Sequence, residues 1–223
     1  PERDKFIKYK YNTKSLFKKV RNKEQLQREL NLPVNKNIPM IGMVSRLTHQ
    51  KGCDLITRVL DELLKENIQV VILGTGDYMY EESFKSFASR YPNRLSANIK
   101  FSNELAHKIY ASSDMFLMPS LFEPCGLGQL IALRYGSVPI VRETGGLRDT
   151  VIPYNEYDET GNGFGFRNYS SDELLNTTKY ALRIFKNKKR WEKIVKQAME
   201  CDNSWKKSAR EYISLYKDLI KSN

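Results

Sequence analysis

Two cationic side chains and one carboxylate stand out as groups that could act on a phosphorylated ligand. Arg46 and Lys51 lie in residues 45–52, which follow an apolar run over 40–44 and precede an amphipathic stretch. A turn at the carboxyl end of a buried strand, with a helix N-terminus behind it, is a common anion-binding position in α/β proteins. We therefore expect Arg46 and Lys51 to bind an anion together.

The carboxylate is Glu123, which lies in the glycine-containing run over residues 119–128. Two further glycine turns, at residues 74–77 and 144–146, also follow apolar runs. Carboxyl ends of parallel strands meet at one edge of a sheet, so the four turns should line one polar cleft. The patterns GxGxxG and GxxxxGK[ST] are absent, which argues against ordinary dinucleotide binding and against a P-loop NTPase.

The elements that would position these turns alternate between strands and helices. Continuous apolar runs are typical of parallel strands buried on both faces, and a 3.6-residue apolar period indicates helices. The sequence predicts strands at residues 41–45, 70–73, 98–101, 115–118, 139–141 and 163–166, and helices at 55–64, 80–91, 104–112 and 127–135. This alternation predicts an α/β fold with a Rossmann-like, doubly wound parallel sheet of about six strands and helices on both faces.

Both ends of the chain show helical patterns outside this alternation. One helix is predicted over residues 23–30, and amphipathic stripes cover 172–185, 191–199 and 205–220. We expect one Rossmann-like domain over 1–223, with a linker and leading helix in 1–37, the α/β core in 38–168 and C-terminal helices in 169–223. The chain opens with charged residues and without Met, which we interpret as a fragment or a processed product.

Charge is concentrated at the two ends. The formal net charge is +11; residues 1–36 hold 11 Lys and Arg against 4 acidic residues, and residues 183–223 hold 12 against 5. The motif-bearing centre is therefore slightly acidic. Although aromatic residues such as Tyr9 and Phe17 interleave with the first group of cations, this distribution argues against nucleic-acid binding, which is kept as an alternative.

Cysteine usage and hydropathy indicate the compartment. Cys53, Cys125 and Cys201 are widely spaced and odd in number, so they form neither a disulfide framework nor a CxxC metal pattern. No apolar run approaches the ~18 residues of a membrane span, and the chain does not open as a secretory signal. We therefore expect a cytoplasmic protein that does not enter a membrane.

Three motifs together resemble those of bacterial glycogen synthases and plant starch synthases. They are SRLTHQKG at residues 45–52, FEPCGL at 122–127 and TGGLRDTV at 144–151. The resemblance covers nearly the whole chain, which is similar to the C-terminal half of such an enzyme. It implies a retaining GT-B glucosyltransferase that moves glucose from ADP-glucose to the non-reducing end of an α-1,4-glucan, with no metal and no other cofactor.

The resemblance also implies residue roles. Arg46 and Lys51 match the pair that binds the donor diphosphate, and Glu123 matches a glutamate that contacts the donor glucose and supports positive charge at its anomeric carbon. A covalent nucleophile is the alternative for Glu123. Phe101 matches a position that stacks on adenine, with a core residue closing a strand as its alternative. The positions expected to bind substrate are Gly74, Phe101, Cys125, Gly126, Leu127, Gly128, Thr144, Gly145 and Gly146.

What the chain lacks bears on activity. Family members take acceptor-binding groups and a catalytic histidine from an N-terminal domain, so we expect this chain alone to bind ADP or ADP-glucose weakly and to have little or no transferase activity. The apolar stripe over 205–216 should then be exposed, disordered or used in dimer contacts. The alternatives are the donor half of a UDP- or GDP-sugar transferase, a nucleic-acid-binding domain, and a regulatory or glucan-binding module. We identify no tryptophan platform that a glucan-binding module would use.

Overall fold

A single parallel sheet organises the molecule. The structure, a computed structural model, describes residues 1–221. Its strands are β1 (Met40–Val44), β2 (Gln69–Gly74), β3 (Leu95–Ile99), β4 (Met115–Met118), β5 (Val138–Arg142) and β6 (Phe164–Phe166). Its helices are α1 (Phe17–Glu29), α2 (Cys53–Leu63), α3 (Tyr78–Arg90), α4 (Asn103–Ser112), α5 (Gly128–Arg134), α6 (Gly145–Thr150), α7 (Ser171–Phe185), α8 (Lys188–Glu200) and α9 (Trp205–Lys221), with a 3-10 turn at His49–Lys51.

The strand order locates a ligand-binding edge. The order is β3-β2-β1-β4-β5-β6, and every neighbouring pair is parallel. The chain winds outward from β1 to one side and from β4 to the other, so a topological switch point lies between these two strands. Ligands of open α/β sheets bind outside the carboxyl ends of the strands at such a point. The predicted doubly wound sheet is confirmed.

Helices cover both faces of the sheet, as expected. Helices α2, α3 and α7 pack together on one face, whereas α1, α4, α5 and α8 pack on the other. The predicted apolar stripe of α2 is buried, with Leu55, Ile56, Val59, Leu60 and Leu63 each at most 4% exposed. Burial of such side chains removes apolar surface from water, which stabilises the fold by about 25 cal/mol per Å².

Strand β3 differs from its prediction. It spans Leu95–Ile99 and not residues 98–101, and it forms the edge of the sheet beside β2. An edge strand is half-exposed, so it lacks the continuous apolar run on which the prediction relied. The Asn98 amide donates to the carbonyl oxygen of Ile72 at 3.2 Å. Phe101 consequently lies beyond the strand and is 92% exposed, so its interpretation as a core residue is wrong.

Helix α1 also differs, because it begins at Phe17 and not at residue 23. Several of its buried residues are polar, including Lys19, Lys23 and Gln27, and they do not give the apolar period used to detect a helix. Lys19 Nζ donates to the carbonyl oxygens of Tyr110 and Ala111 and to the Ser137 hydroxyl, at 3.1–3.3 Å. These contacts hold α1 against the end of α4.

The last helix projects its apolar side chains into solvent. In α9, Trp205 is 90% exposed, and Tyr212, Ile213, Tyr216 and Leu219 are each more than half exposed. Exposure of this stripe is one of the outcomes expected above. None of the helices formed by residues 1–221 is long and apolar enough to cross a membrane.

Candidate active site

Two loops meet at the switch point of the sheet. The loop after β1 contains Gly52, whose φ is +75°, and a Cβ there would lie 2.2 Å from the carbonyl oxygen of Pro119. Glycine is therefore required for this close approach. The backbone N–H of Leu121 donates to the carbonyl oxygen of Gln50 at 2.9 Å. The loops that carry Lys51 and Glu123 are thus joined directly.

An ion pair occupies the centre of this junction. Lys51 Nζ lies 2.6 Å from Glu123 Oε2, and the Ser120 hydroxyl donates to the same oxygen at 3.1 Å. Glu123 is only 7% exposed, so its carboxylate is held by charge and hydrogen bonding in a largely desolvated position. Two predicted residues that are 72 positions apart in the chain therefore touch.

The pair faces an open cavity of about 320 Å³. Arg46, Lys51 and Glu123 all line it, together with Leu127 and Gly128 at the start of α5. The three charged residues predicted from the sequence thus converge on one rim. Glu123 is the one carboxylate among the described residues that line this cavity.

A second cavity of about 280 Å³ adjoins the first, and Arg46 borders both. Gly74 and Phe101 line the second cavity, as do Lys100 and Asn103. A Cβ at Gly74 would lie 1.8 Å from the carbonyl oxygen of Ser45, so the absence of a side chain lets the loops after β1 and β2 run side by side. Two further predicted residues are therefore neighbours of the charged rim.

The predicted turn after β5 packs against the loop of Glu123. The N–H of Gly146 donates to the Glu123 carbonyl oxygen at 3.1 Å. Cβ atoms at Gly145 and Gly146 would lie 2.2 Å and 2.0 Å from the carbonyl oxygens of Glu123 and Cys125. Thr144 precedes α6 as its N-cap residue. These positions hold the backbone of the loop, and their contact with a sugar stays a prediction.

The segment between Glu123 and α5 holds the other predicted residues. Cys125 is exposed, and Gly126 adopts a φ of +74°. The fully buried Gln129 amide donates to the carbonyl oxygens of both residues, at 2.9 Å and 3.0 Å. Gln129 was missed at the sequence level, although a glutamine within an otherwise apolar helix is a usable signal. Ser120, which contacts Glu123, gave no comparable signal.

Metal ligands do not cluster in this region. Across residues 1–221, the structure brings together no group of three or more His, Cys, Asp or Glu side chains that could hold a metal ion. The site presents two cations, one carboxylate and glycine-rich backbone. Such a set can bind a phosphorylated ligand through charge and hydrogen bonds.

The comparison with protein families decides the assignment. The model of Glycosyl transferases group 1 matches residues 22–198. The chain belongs to this family. This group 1 glycosyl transferase chain is 64% identical over 219 residues to the glycogen synthase of Clostridium beijerinckii, and 58% identical over 221 residues to that of Clostridium perfringens. These matches cover 98% and 99% of the chain but 46% of each relative, so the chain spans about half the length of the curated relatives that it matches.

A solved structure extends the similarity to the three-dimensional level. The group 1 glycosyl transferase chain superimposes on the catalytic domain of starch synthase IV from Arabidopsis thaliana, bound to ADP and acarbose, with a TM-score of 0.90 and 34% identity. The match covers 98% of this chain and 46% of the other. The resemblance to glycogen and starch synthases is therefore confirmed.

Proposed function

We propose that this chain is the donor-binding half of a glycogen synthase, which transfers glucose from ADP-glucose to the non-reducing end of an α-1,4-glucan. The observation that carries the proposal is the convergence of Arg46, Lys51 and Glu123 on one cavity. The second cavity beside Arg46 provides room for a nucleoside. Similarity to glycogen synthases and to an ADP-bound starch synthase supports the choice of donor.

The donor diphosphate would bind beside Arg46 and Lys51. The ADP leaving group gains negative charge as the glycosidic bond breaks. Two cations fixed in a partly desolvated cleft stabilise that charge more strongly in the transition state than in the ground state. Arg46 borders both cavities, so the diphosphate would pass it between nucleoside and sugar. Because the cations supply the required charge, we propose that no metal and no other cofactor takes part.

The nucleoside would lie in the second cavity, with adenine against the exposed ring of Phe101. An exposed aromatic ring at a cavity rim can stack on a planar base. Gly74 lines the same cavity.

Glu123 would contact the glucose and support positive charge at the anomeric carbon. Its bonds to Lys51 and Ser120 hold the carboxylate in a fixed orientation. The nucleophile alternative requires a second carboxyl group to act as acid and base, and Glu123 is the one carboxylate that the described residues place in the cavity. We therefore propose the supporting role.

The acceptor glucan would bind to the part of the protein that lies outside this chain. The exposed apolar stripe of α9 fits a packing surface for that part. We therefore propose that the chain alone binds ADP but lacks transferase activity, and that the complete enzyme works in the cytoplasm.

Titration with nucleotides tests the proposal. We expect calorimetry on this chain to give tighter binding of ADP than of UDP or GDP. Substituting Arg46→Met together with Lys51→Met should abolish that binding, whereas Lys65→Met, on an exposed ion pair with Glu62, should not change it. A preference for UDP or GDP would identify a transferase with another donor. Binding of RNA that is as tight as binding of ADP and that weakens steeply with salt would favour the nucleic-acid alternative.

A further inference from the structure

Arg142 holds the loop that carries Glu123, although it does not line the cavity. It is the last residue of β5, and its Nε donates to the carbonyl oxygen of Ser120 at 2.9 Å. One terminal nitrogen donates to the carbonyl oxygen of Leu121, and the other to that of Arg167 at 3.3 Å. A planar guanidinium that donates in three directions fixes the backbone more rigidly than a single ammonium can.

These contacts lead directly to the ion pair of Lys51 and Glu123. Ser120 also donates from its hydroxyl to Glu123 Oε2, so Arg142 fixes the residue that orients the carboxylate. Leu121 donates from its N–H to Gln50, the residue before Lys51. Both loops of the site are therefore connected to the Arg142 guanidinium through one intermediate residue.

Tyr169 contacts the loop of Lys51 and also lies beside Arg142. Its ring lies 5.8 Å from the Arg142 guanidinium carbon. Its hydroxyl lies 2.5 Å from Asp54 Oδ1 and 3.2 Å from the carbonyl oxygen of His49. His49 Nδ1 lies 3.2 Å from the same oxygen of Asp54. Tyr169 thus ties the 3-10 turn that contains Lys51 to the first turn of α2.

We propose that Arg142 and Tyr169 are positioning residues for glucosyl transfer: Arg142 sets the loop of Glu123, Tyr169 sets the turn of Lys51, and their mutual contact fixes the two relative to each other. This inference rests on the proposed function. Misplacement of reacting groups by about 1 Å can reduce a rate by about 10²-fold, and side chains that support a site commonly control such placement.

Steady-state kinetics of the full-length enzyme test the role of Arg142. We expect Arg142→Met to lower kcat by about 10²-fold, with the Kd for ADP changed by less than about threefold, because the phosphate-binding cations remain. Arg142→Lys keeps the charge but not the three-way donor geometry, so its kcat should be intermediate. Arg167→Met is the matched control, since that side chain is 87% exposed and lies 3.6 Å from Glu143. It should change kcat by less than about twofold.

A double-mutant cycle separates positioning from general destabilisation. If Arg142 acts through Glu123, then Arg142→Met should cost less than about threefold in kcat on a Glu123→Gln background. Full additivity of the two losses would overturn the proposal. Tyr169→Phe, which keeps the ring and removes the hydroxyl, should lower kcat by about tenfold. An unchanged kcat in Tyr169→Phe would remove that residue from the proposal.

Amide hydrogen exchange gives a readout that does not depend on activity. Exchange over residues 119–127 should accelerate in Arg142→Met and stay at the wild-type rate in Arg167→Met. Unchanged exchange in Arg142→Met overturns the positioning role. If the wild-type enzyme fails to transfer glucose from ADP-glucose while exchange does accelerate, the proposed function is wrong and the structural part of the inference stands.

Discussion

Two lysine–carboxylate ion pairs lie at opposite edges of the sheet and have the same length. Lys51 and Glu123 meet at 2.6 Å at the carboxyl edge, and Lys23 and Asp114 meet at 2.6 Å at the other. The Lys23 side chain is 2% exposed and also donates to the Lys36 carbonyl oxygen at 3.1 Å. Asp114 Oδ2 also accepts from the N–H of Met40 at 2.8 Å. The protein itself surrounds this second pair.

The difference between the two pairs separates stability from binding. Neighbouring backbone groups satisfy the Lys23–Asp114 pair, so it joins α1 to the start of β1 and β4. The Lys51–Glu123 pair faces a cavity of about 320 Å³ beside Arg46, so a ligand can reach both of its charges. A buried pair is costly to break because one charge is left without a partner. A pair at an open cavity can exchange that partner for water or a ligand.

The largest effect is expected from Lys51→Met in the full-length enzyme. Loss of the charge that we propose to stabilise the leaving group should lower kcat by about 10²- to 10³-fold. The free energy of unfolding should fall by less than in Lys23→Met, because Ser120 still donates to the Glu123 carboxylate and water from the open cavity can enter where the Lys51 ammonium stood. Steady-state kinetics and urea unfolding measure the two quantities, with Lys65→Met as control. A large loss of stability with normal kcat would reverse the roles assigned to the two pairs.

Lys23→Met should have the opposite profile. It leaves Asp114 partly buried without its cation, which should cost about 3 kcal/mol of unfolding free energy. The Kd for ADP should not change, since the cavity lies at the other edge. Adding Asp114→Asn should recover part of the stability, because a neutral amide oxygen still accepts from Met40. If Lys23→Met were as stable as Lys65→Met, the buried pair would contribute nothing and the comparison would fail.

Strands buried on both faces were predictable from the sequence, and so was the rim of the site. Continuous apolar runs located β1, β2, β4 and β5, and the parallel arrangement then brought Arg46 and Glu123 to one edge. The half-exposed β3 and the polar buried face of α1 were misplaced, because their burial depends on distant partners such as Tyr110 for Lys19. The direct pairing of Lys51 with Glu123 depends on the geometry of two loops, which residue spacing does not determine.

The buried Lys19, which lies near Lys23, should make the free energy of unfolding depend on pH. Burial lowers the pKa of Lys19 to about 7; Asp114 opposes this shift and Lys23 adds to it. In the unfolded chain the pKa returns to about 10.5, so between these values the unfolded chain binds more protons than the folded one. Stability should therefore rise with pH by up to about 1.4 kcal/mol per unit.

Urea unfolding at pH 7, 8 and 9 measures this dependence. The difference in unfolding free energy between the wild type and Lys19→Met should move in favour of the wild type as pH rises. Lys65→Met serves as control, because its ion pair with Glu62 raises the pKa of Lys65 above its usual value and outside this range. A constant difference between wild type and Lys19→Met would show that Lys19 stays charged in the folded protein.

The smallest effect concerns the two cysteines nearest the site. Cys125 is exposed in the loop of Glu123, whereas Cys53 is buried, and burial raises the pKa of its thiol to about 12. Because the thiolate is the reactive form, iodoacetamide at pH 8 should label Cys125 and spare Cys53 until the protein unfolds. ADP at ten times its Kd should slow labelling of Cys125 by up to about tenfold, as followed by mass spectrometry.

Cys201, which lies beside Gln197 on α8, should react at the same rate with and without ADP. Equal protection of Cys125 and Cys201 would mean that ADP stabilises the whole fold without contacting the loop after β4, and the open ion pair would then not be the binding site.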